Sequence, residues 1–223
     1  MESKLYEVND NSIDVVLEPS AQYGCTTTVV IDPNKLYTYA DYLKWGDNKR
    51  RELIDGVTKL MAGVSYIHNI VTINLTLFFG RFIKKRKGKC RIFHAPFDVR
   101  LPKNGETADN KIFTVVQPDL CIVCDLSKID EKGIIGAPDM VVEVLSPSNT
   151  KFMMRQKFDK YEEAGVKEYW VVHPKRGLTV FLLQDNGKFD DGLTYDIIYT
   201  PDAKVPVHTI KGLEISLKEL FEE

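Results

Sequence analysis

Residues 139–172 read DMVVEVLSPSNTKFMMRQKFDKYEEAGVKEYWVV, and this stretch decides the fold. Asp139 to Leu145 is apolar and β-branched apart from its two acids, the pattern of a strand buried on both faces. Ser148 and Asn149 offer caps for a helix from about Thr150 to Ala164, which Gly165 stops. Glu168 to Val172 is a second strand. Strand, helix and strand in that order predict a right-handed crossover joining parallel strands. Glu143 interrupts the first strand with a charge that is costly to bury unpaired.

Upstream, Lys89 to Leu101 and Ile112 to Cys124 are further strand candidates, with Asn104-Gly105 between them as a hairpin turn. A long helix precedes them. Ile67, Ile70, Val71, Leu75, Phe78, Phe79 and Phe82 recur at helical period, and Lys87-Gly88 ends the run. Earlier still, Thr38 caps a short helix and Asp55-Gly56 turns a hairpin within Glu52 to Met61. Downstream, strands are expected around 178–184, 194–200 and 205–210, then a short helix after Ser216. The whole predicts an α/β sandwich on a mixed sheet: a polar N-terminal arm over 1–34 and one domain over 35–223.

The chain has 223 residues, 43% of them hydrophobic, which suits a single well-cored domain. Its formal net charge of -2 gives no global attraction to nucleic acid, so a nucleic-acid binder would need a local basic patch. Arg81, Lys84, Lys85, Arg86, Lys87, Lys89 and Arg91 form such a cluster, although charge runs at helix ends are also simply solvated. Cys121 and Cys124 spell C-x-x-C, but strand residues three apart face opposite ways, so buried structural thiols are expected rather than a zinc or redox site. Free thiols, no signal-like N-terminus and no apolar membrane span point to a cytoplasmic protein.

Two acids and a lysine form the constellation that bears chemistry. Asp119 and Glu143 are equidistant from residue 131, inside the polar connection 125–138. If their strands pair antiparallel, the two carboxylates face each other with Cβ atoms roughly 5 Å apart. At that separation they repel unless a cation or proton lies between them. Lys157 lies about 10 Å back along the returning helix, the height at which Glu143 lies below the strand end. Met154, Phe158 and Tyr161 are expected to form the helix's buried stripe, with Lys157 on its shoulder. Asp139 is a rival ligand, though Pro138-Asp139 better marks a strand start. His68 could contact phosphate or water, or be a satisfied structural histidine.

These pieces resemble a known family. Glu52-Leu53-Ile54-Asp55-Gly56, Met61-Ala62-Gly63 followed by His68, Pro118-Asp119, and Glu143-Val144-Leu145-Ser146-Pro147-Ser148 carry the likeness. Lys157, Tyr161 and Ala164-Gly165-Val166-Lys167-Glu168-Tyr169-Trp170 continue it. The chain from about Tyr37 to Pro174 is similar to the Uma-type putative restriction endonucleases of the PD-(D/E)xK nuclease superfamily. The resemblance implies a restriction-endonuclease-like core, with Asp119 and Glu143 binding magnesium or manganese and Glu52, from the first helical region, adding a carboxylate. Leu145 stands where the superfamily's usual lysine would be, and by the family pattern that lysine has moved to Lys157. The sequence departs from the family at Met153, where an aspartate is common, at Tyr66 for proline, and at His173 for aspartate.

The expected function is metal-dependent hydrolysis of DNA phosphodiesters, with Asp119, Glu143, Lys157 and Glu52 catalytic and His68, Lys84, Lys85 and Arg86 as candidate substrate contacts. A homodimer is compatible with the arm. Two other readings remain open. One is a nuclease fold without catalysis, serving nucleic-acid binding or assembly, which Met153 favours. The other is a carboxylate-pair hydrolase such as a glycosidase, which would need no divalent ion.

Overall fold

The structure, a computed structural model, describes residues 29–147 and 149–222. The expected N-terminal arm lies almost wholly outside them. Thr38 caps helix α1 (Tyr39–Tyr42) through a reciprocal capping box with Asp41. Strands β1 (Arg51–Ile54) and β2 (Val57–Leu60) form the expected hairpin, and Asp55 and Gly56 take the positive φ its turn requires. Helix α2 (Tyr66–Lys85) is capped by Ser65 and buries Val71, Leu75 and Phe79 from the predicted stripe.

The next two strand candidates each break in two. The first becomes β3 (Arg91–His94) and β4 (Val99–Arg100), the second β5 (Val115–Val116) and β6 (Leu120–Val123). The breaks fall at Pro96 and Pro118, residues with no N–H to give a ladder. The predicted hairpin survives in divided form: β3 pairs antiparallel with β6 in one sheet, β4 with β5 in another. The connection expected to be a polar loop holds β7 (Ile129–Asp130) and β8 (Gly133–Ile135).

β9 (Met140–Val144), α3 (Lys151–Ala164) and β10 (Glu168–His173) form the crossover, and β9 and β10 are parallel as predicted. Thr150 caps α3, one residue later than expected, while Gly165 ends it in the left-handed region at φ 86°. β11 (Gly177–Leu182), β12 (Leu193–Asp196) and β13 (Lys204–Val207) follow. An unpredicted β14 (Leu213–Ser216) pairs with β13 before α4 (Leu217–Leu220).

The main sheet runs β12-β11-β10-β9-β6-β3, the second β2-β1-β5-β4-β8-β7. Side chains alternate across β9 and β10. Val142, Val144, Trp170 and Val172 face α2, where Val71, Leu75 and Phe79 meet them together with Val205 and Ile215 of the C-terminal hairpin and Leu217 of α4. Val141 and Tyr169 face Tyr161 and Val166 on the opposite side, beneath α3. Glu143 shares that second face.

One sequence expectation is corrected. Cys90 and Cys124 form a disulfide, and only Cys121 among the described cysteines is free. The Arg91–Val123 pairing, continued by one residue, sets Cys90 across from Cys124. The partner thus came from the neighbouring strand, which the local C-x-x-C spacing could not reveal. The thiols therefore carry no argument for a reducing compartment. Among the described residues no helix is long and apolar enough to cross a membrane.

Leu75 is fully buried, whereas Leu77, two residues on, is 45% exposed. Leu75→Ala is expected to cost about 2–5 kcal/mol in denaturant unfolding. Leu77→Ala should change stability by about 0.5 kcal/mol or less. Equal losses would contradict this packing of α2.

Candidate active site

Pro118 ends one sheet and Asp119 opens the other. The β6–β9 register pairs Leu120 with Val142, so that one more step sets Asp119 across from Glu143, the arrangement the residue spacing predicted. The Asp119 carboxylate is fixed by the Val144 N–H, which donates to Oδ2 at 2.7 Å. His68 Nε2, from the first turn of α2, lies 3.2 Å from the same oxygen. His68 is buried and its Nδ1 has no hydrogen-bond partner among the described residues. The structure thus places the ring against Asp119 through one nitrogen and leaves the other without a partner among the described residues.

Lys157 is not on a helix shoulder. It is buried, with Nζ 2.8 Å from Glu143 Oε1 and 2.9 Å from Glu52 Oε1. Glu52 lies on strand β1 rather than in a helical region, and its Oε1 also accepts the Gln117 N–H at 2.8 Å. One ammonium thus ties a carboxylate of the second sheet to one of the main sheet. Tyr161, one helical turn after Lys157, donates its hydroxyl to Glu143 Oε1 at 2.6 Å. Such charge-assisted bonds in a dry setting are strong and orienting.

The electrostatics follow from this crowding. Burial pushes the Glu143 carboxyl up to about 7; Lys157 opposes the rise, while Asp119 and Glu52 add to it. Lys157 loses solvation, but the two carboxylates outweigh that loss and hold its ammonium charged. Burial, then the negative charge of Glu143, raises the Tyr161 hydroxyl well above its usual range, so it remains a donor.

Asp119 is the most open member, its side chain 15% exposed against 7% for Glu143. With His68 it lines a groove of about 380 Å³ that Arg50, Asn69, Thr72 and His94 also border. A substrate would therefore meet Asp119 first. Arg50 donates to the Gln117 side chain at 3.1–3.2 Å, so the groove wall and the Glu52 anchor are linked through one residue.

Other sequence candidates lie elsewhere. Asp139 accepts from the Cys124 N–H and from Lys167 Nζ, four residues along β9 from Glu143, and takes no part in the cluster. Lys84, Lys85 and Arg86 stand at the far end of α2, roughly 24 Å along the helix from His68 at 1.5 Å per residue. Arg86 there donates to the Lys211 carbonyl. The structure does not bring these three to the carboxylates. Tyr161 and Gln117 were missed as site residues. Tyr161 was findable, because a position four after Lys157 shares its helix face; nothing local marks Gln117.

Whether the residues suit a divalent ion is a question of donors. Among the described residues, no three His, Cys, Asp or Glu side chains are disposed as a ready-made metal cage. Lys157 lies within 2.9 Å of both Glu52 and Glu143. Asp119 Oδ2 and Glu143 Oε1 are engaged as described, whereas Oδ1 and Oε2 accept no hydrogen bond among the described residues. Two facing carboxylates with a free oxygen each fit magnesium, which takes one or two protein carboxylates and completes its shell with water and phosphate. Burial, Asp119 and Glu52 make ionising Glu143 costly, and a cation beside it would lower that cost.

Removing Lys157 would leave Glu52 and Glu143 buried without their cation. Lys157→Met is expected to destabilise the fold by about 3–5 kcal/mol at neutral pH, measured by denaturant unfolding. A loss below about 1 kcal/mol would mean that the ion pairs are not formed.

The Uma2 model, described as a putative restriction endonuclease, matches residues 39–217. An uncharacterised protein of Synechocystis sp., slr1290, is 24% identical over 183 residues, covering 81% of this chain and 89% of its own. A crystal structure of a putative nuclease of the DUF820 group from Anabaena variabilis superposes with a TM-score of 0.65 at 22% identity, covering 82% of this chain and 97% of that one. Its likeness shows that the two chains share a mixed α/β, nuclease-like fold. Since the family model spans both sheets and every residue of the carboxylate–lysine cluster, the chain belongs to the Uma2 family of putative restriction endonucleases.

Proposed function

We propose that this protein is a nuclease that hydrolyses phosphodiester bonds of DNA with magnesium or manganese held by Asp119 and Glu143. The observation that carries this reading is the pair of opposed carboxylates with a buried lysine beside one of them. A divalent ion at this pair would supply Lewis acidity to a phosphoryl oxygen and a more acidic bound water.

The chain's own residues have separable tasks. The Val144 N–H and His68 hold Asp119 in place at the groove, so a phosphate entering there meets an oriented carboxylate. Tyr161 and Lys157 hold Glu143 against rotation. Glu52 keeps Lys157 in register with Glu143, and the ammonium offsets negative charge that develops on the phosphoryl group. His68 Nε2, against Asp119 Oδ2, orients that carboxylate in this reading.

The rival reading, a nuclease fold without catalysis, drew on Met153. An aspartate there would have positioned the lysine. Here Glu52 and Glu143 do so, and Met153 needs no substitute. These two contacts support the catalytic reading over the inactive one.

Purified protein is expected to nick or linearise plasmid DNA with magnesium or manganese, and chelator should stop it. Glu143→Ala should abolish the reaction, and Lys157→Ala should lower kcat by about 10²–10³-fold in material that remains folded. Manganese should also raise the Tm of the wild-type protein but not of Asp119→Asn, a readout independent of turnover. Manganese binding without cleavage would instead mark a binding module, and chelator-resistant hydrolysis would mark another class of carboxylate hydrolase.

A further inference from the structure

A second cavity, a cleft of about 990 Å³, opens on the α3 face of the main sheet beside the carboxylates but does not contain them. Its walls are apolar and aromatic: Leu145, Met154, Phe158, Tyr169, Val171 and Phe181. Leu145 lies two residues beyond Glu143 on the same strand face, and Val171 is the β10 partner of Glu143. Tyr66, 70% exposed, lines the cleft from the first turn of α2. His68, two residues on, lines the groove that holds Asp119. The cleft and the groove therefore adjoin across one helical turn.

Three features give the cleft a chemistry. First, Lys151, Arg155 and Lys175 border it. Second, Ser65 and Thr150, the caps of α2 and α3, both line it, and neither helix has an acidic residue in its first turn. Two positive helix ends thus supplement the cations, and together they suit a phosphate. Third, the buried Tyr169 hydroxyl makes no hydrogen bond among the described residues, while Asp191 lines the cleft as an acceptor; Asp190 Oδ1 already accepts the Leu182 and Gly192 N–H groups. A flat aromatic body, an anionic group and exocyclic amines are what a nucleotide brings. The volume suits a small-molecule-sized guest.

We propose that this cleft receives one unstacked nucleotide of the strand bound at Asp119 and Glu143, its base against Tyr66 and Phe158 and its phosphate toward Lys151 and Lys175. Resting on the nuclease reading above, this assigns the substrate class: single-stranded or frayed DNA rather than intact duplex. A paired base is stacked on both sides and cannot enter, so a duplex must lose pairing and stacking energy to use the site.

The experiment is binding of full-length protein to fluorescein-labelled oligothymidylate and to a duplex of equal length, in chelator, followed by fluorescence anisotropy. The single strand is expected to bind at least about five-fold more tightly, and Tyr66→Ala should weaken it by about five-fold or more. Lys151→Ala/Lys175→Ala should flatten the dependence of log K on log salt by about 0.7. Tyr66, Lys151 and Lys175 are exposed, so these variants leave the core intact. Equal or tighter duplex binding, or variants that bind as wild type, would overturn the assignment even if manganese-dependent cleavage is found. Strand preference without any metal-dependent cleavage would instead overturn the nuclease reading and leave the cleft with its nucleotide.

Discussion

A buried ammonium shared by two carboxylates is the interaction on which this molecule turns. Lys157 gives up its hydration inside a protein, and such a loss is tolerable only with excellent geometry and full pairing. Glu143 and Glu52 provide both, at 2.8 and 2.9 Å, from different sheets. The pairing fixes how the second sheet sits against the main one. It also fixes the orientation of Glu143, through Oε1. The packing of the two sheets and the setting of the carboxylates therefore meet at one atom, Nζ.

The prolines explain how the sheets reach that atom. A continuous strand over 112–124 would have carried Gln117 and Asp119 along one ladder. Pro118 interrupts it, so the Gln117 N–H turns to Glu52 while Asp119 aligns with Glu143. A residue that weakens a sheet locally thus serves as the elbow between two of them. Pro96 accompanies it on the adjoining strand, where β3 and β4 part.

Much of this was legible in the residues, and for physical reasons. The crossover over 139–172 was readable because its periodicity changes twice and its helix stop is a glycine that takes a left-handed conformation. The facing of Asp119 and Glu143 followed from symmetry about residue 131, although β7 and β8 occupy the connection that was taken for a loop. Burial of Lys157 was not legible. Helix periodicity alone places a lysine at the edge of an apolar stripe, and only the arrival of Glu52 from the other sheet makes full burial bearable. The Cys90–Cys124 bond and the role of Gln117 were hidden likewise, since each depends on a partner distant in sequence.

The spread of the cluster along the chain has a consequence for how it can be inherited or rebuilt. Glu52, His68, Asp119, Glu143 and Lys157 span more than a hundred positions, and no short stretch carries even the carboxylate pair with Glu52. The centre cannot be transplanted as a cassette onto another scaffold. Nor can it be split at any point between β1 and α3 without parting its members, so the unit on which selection acts is the assembled pair of sheets.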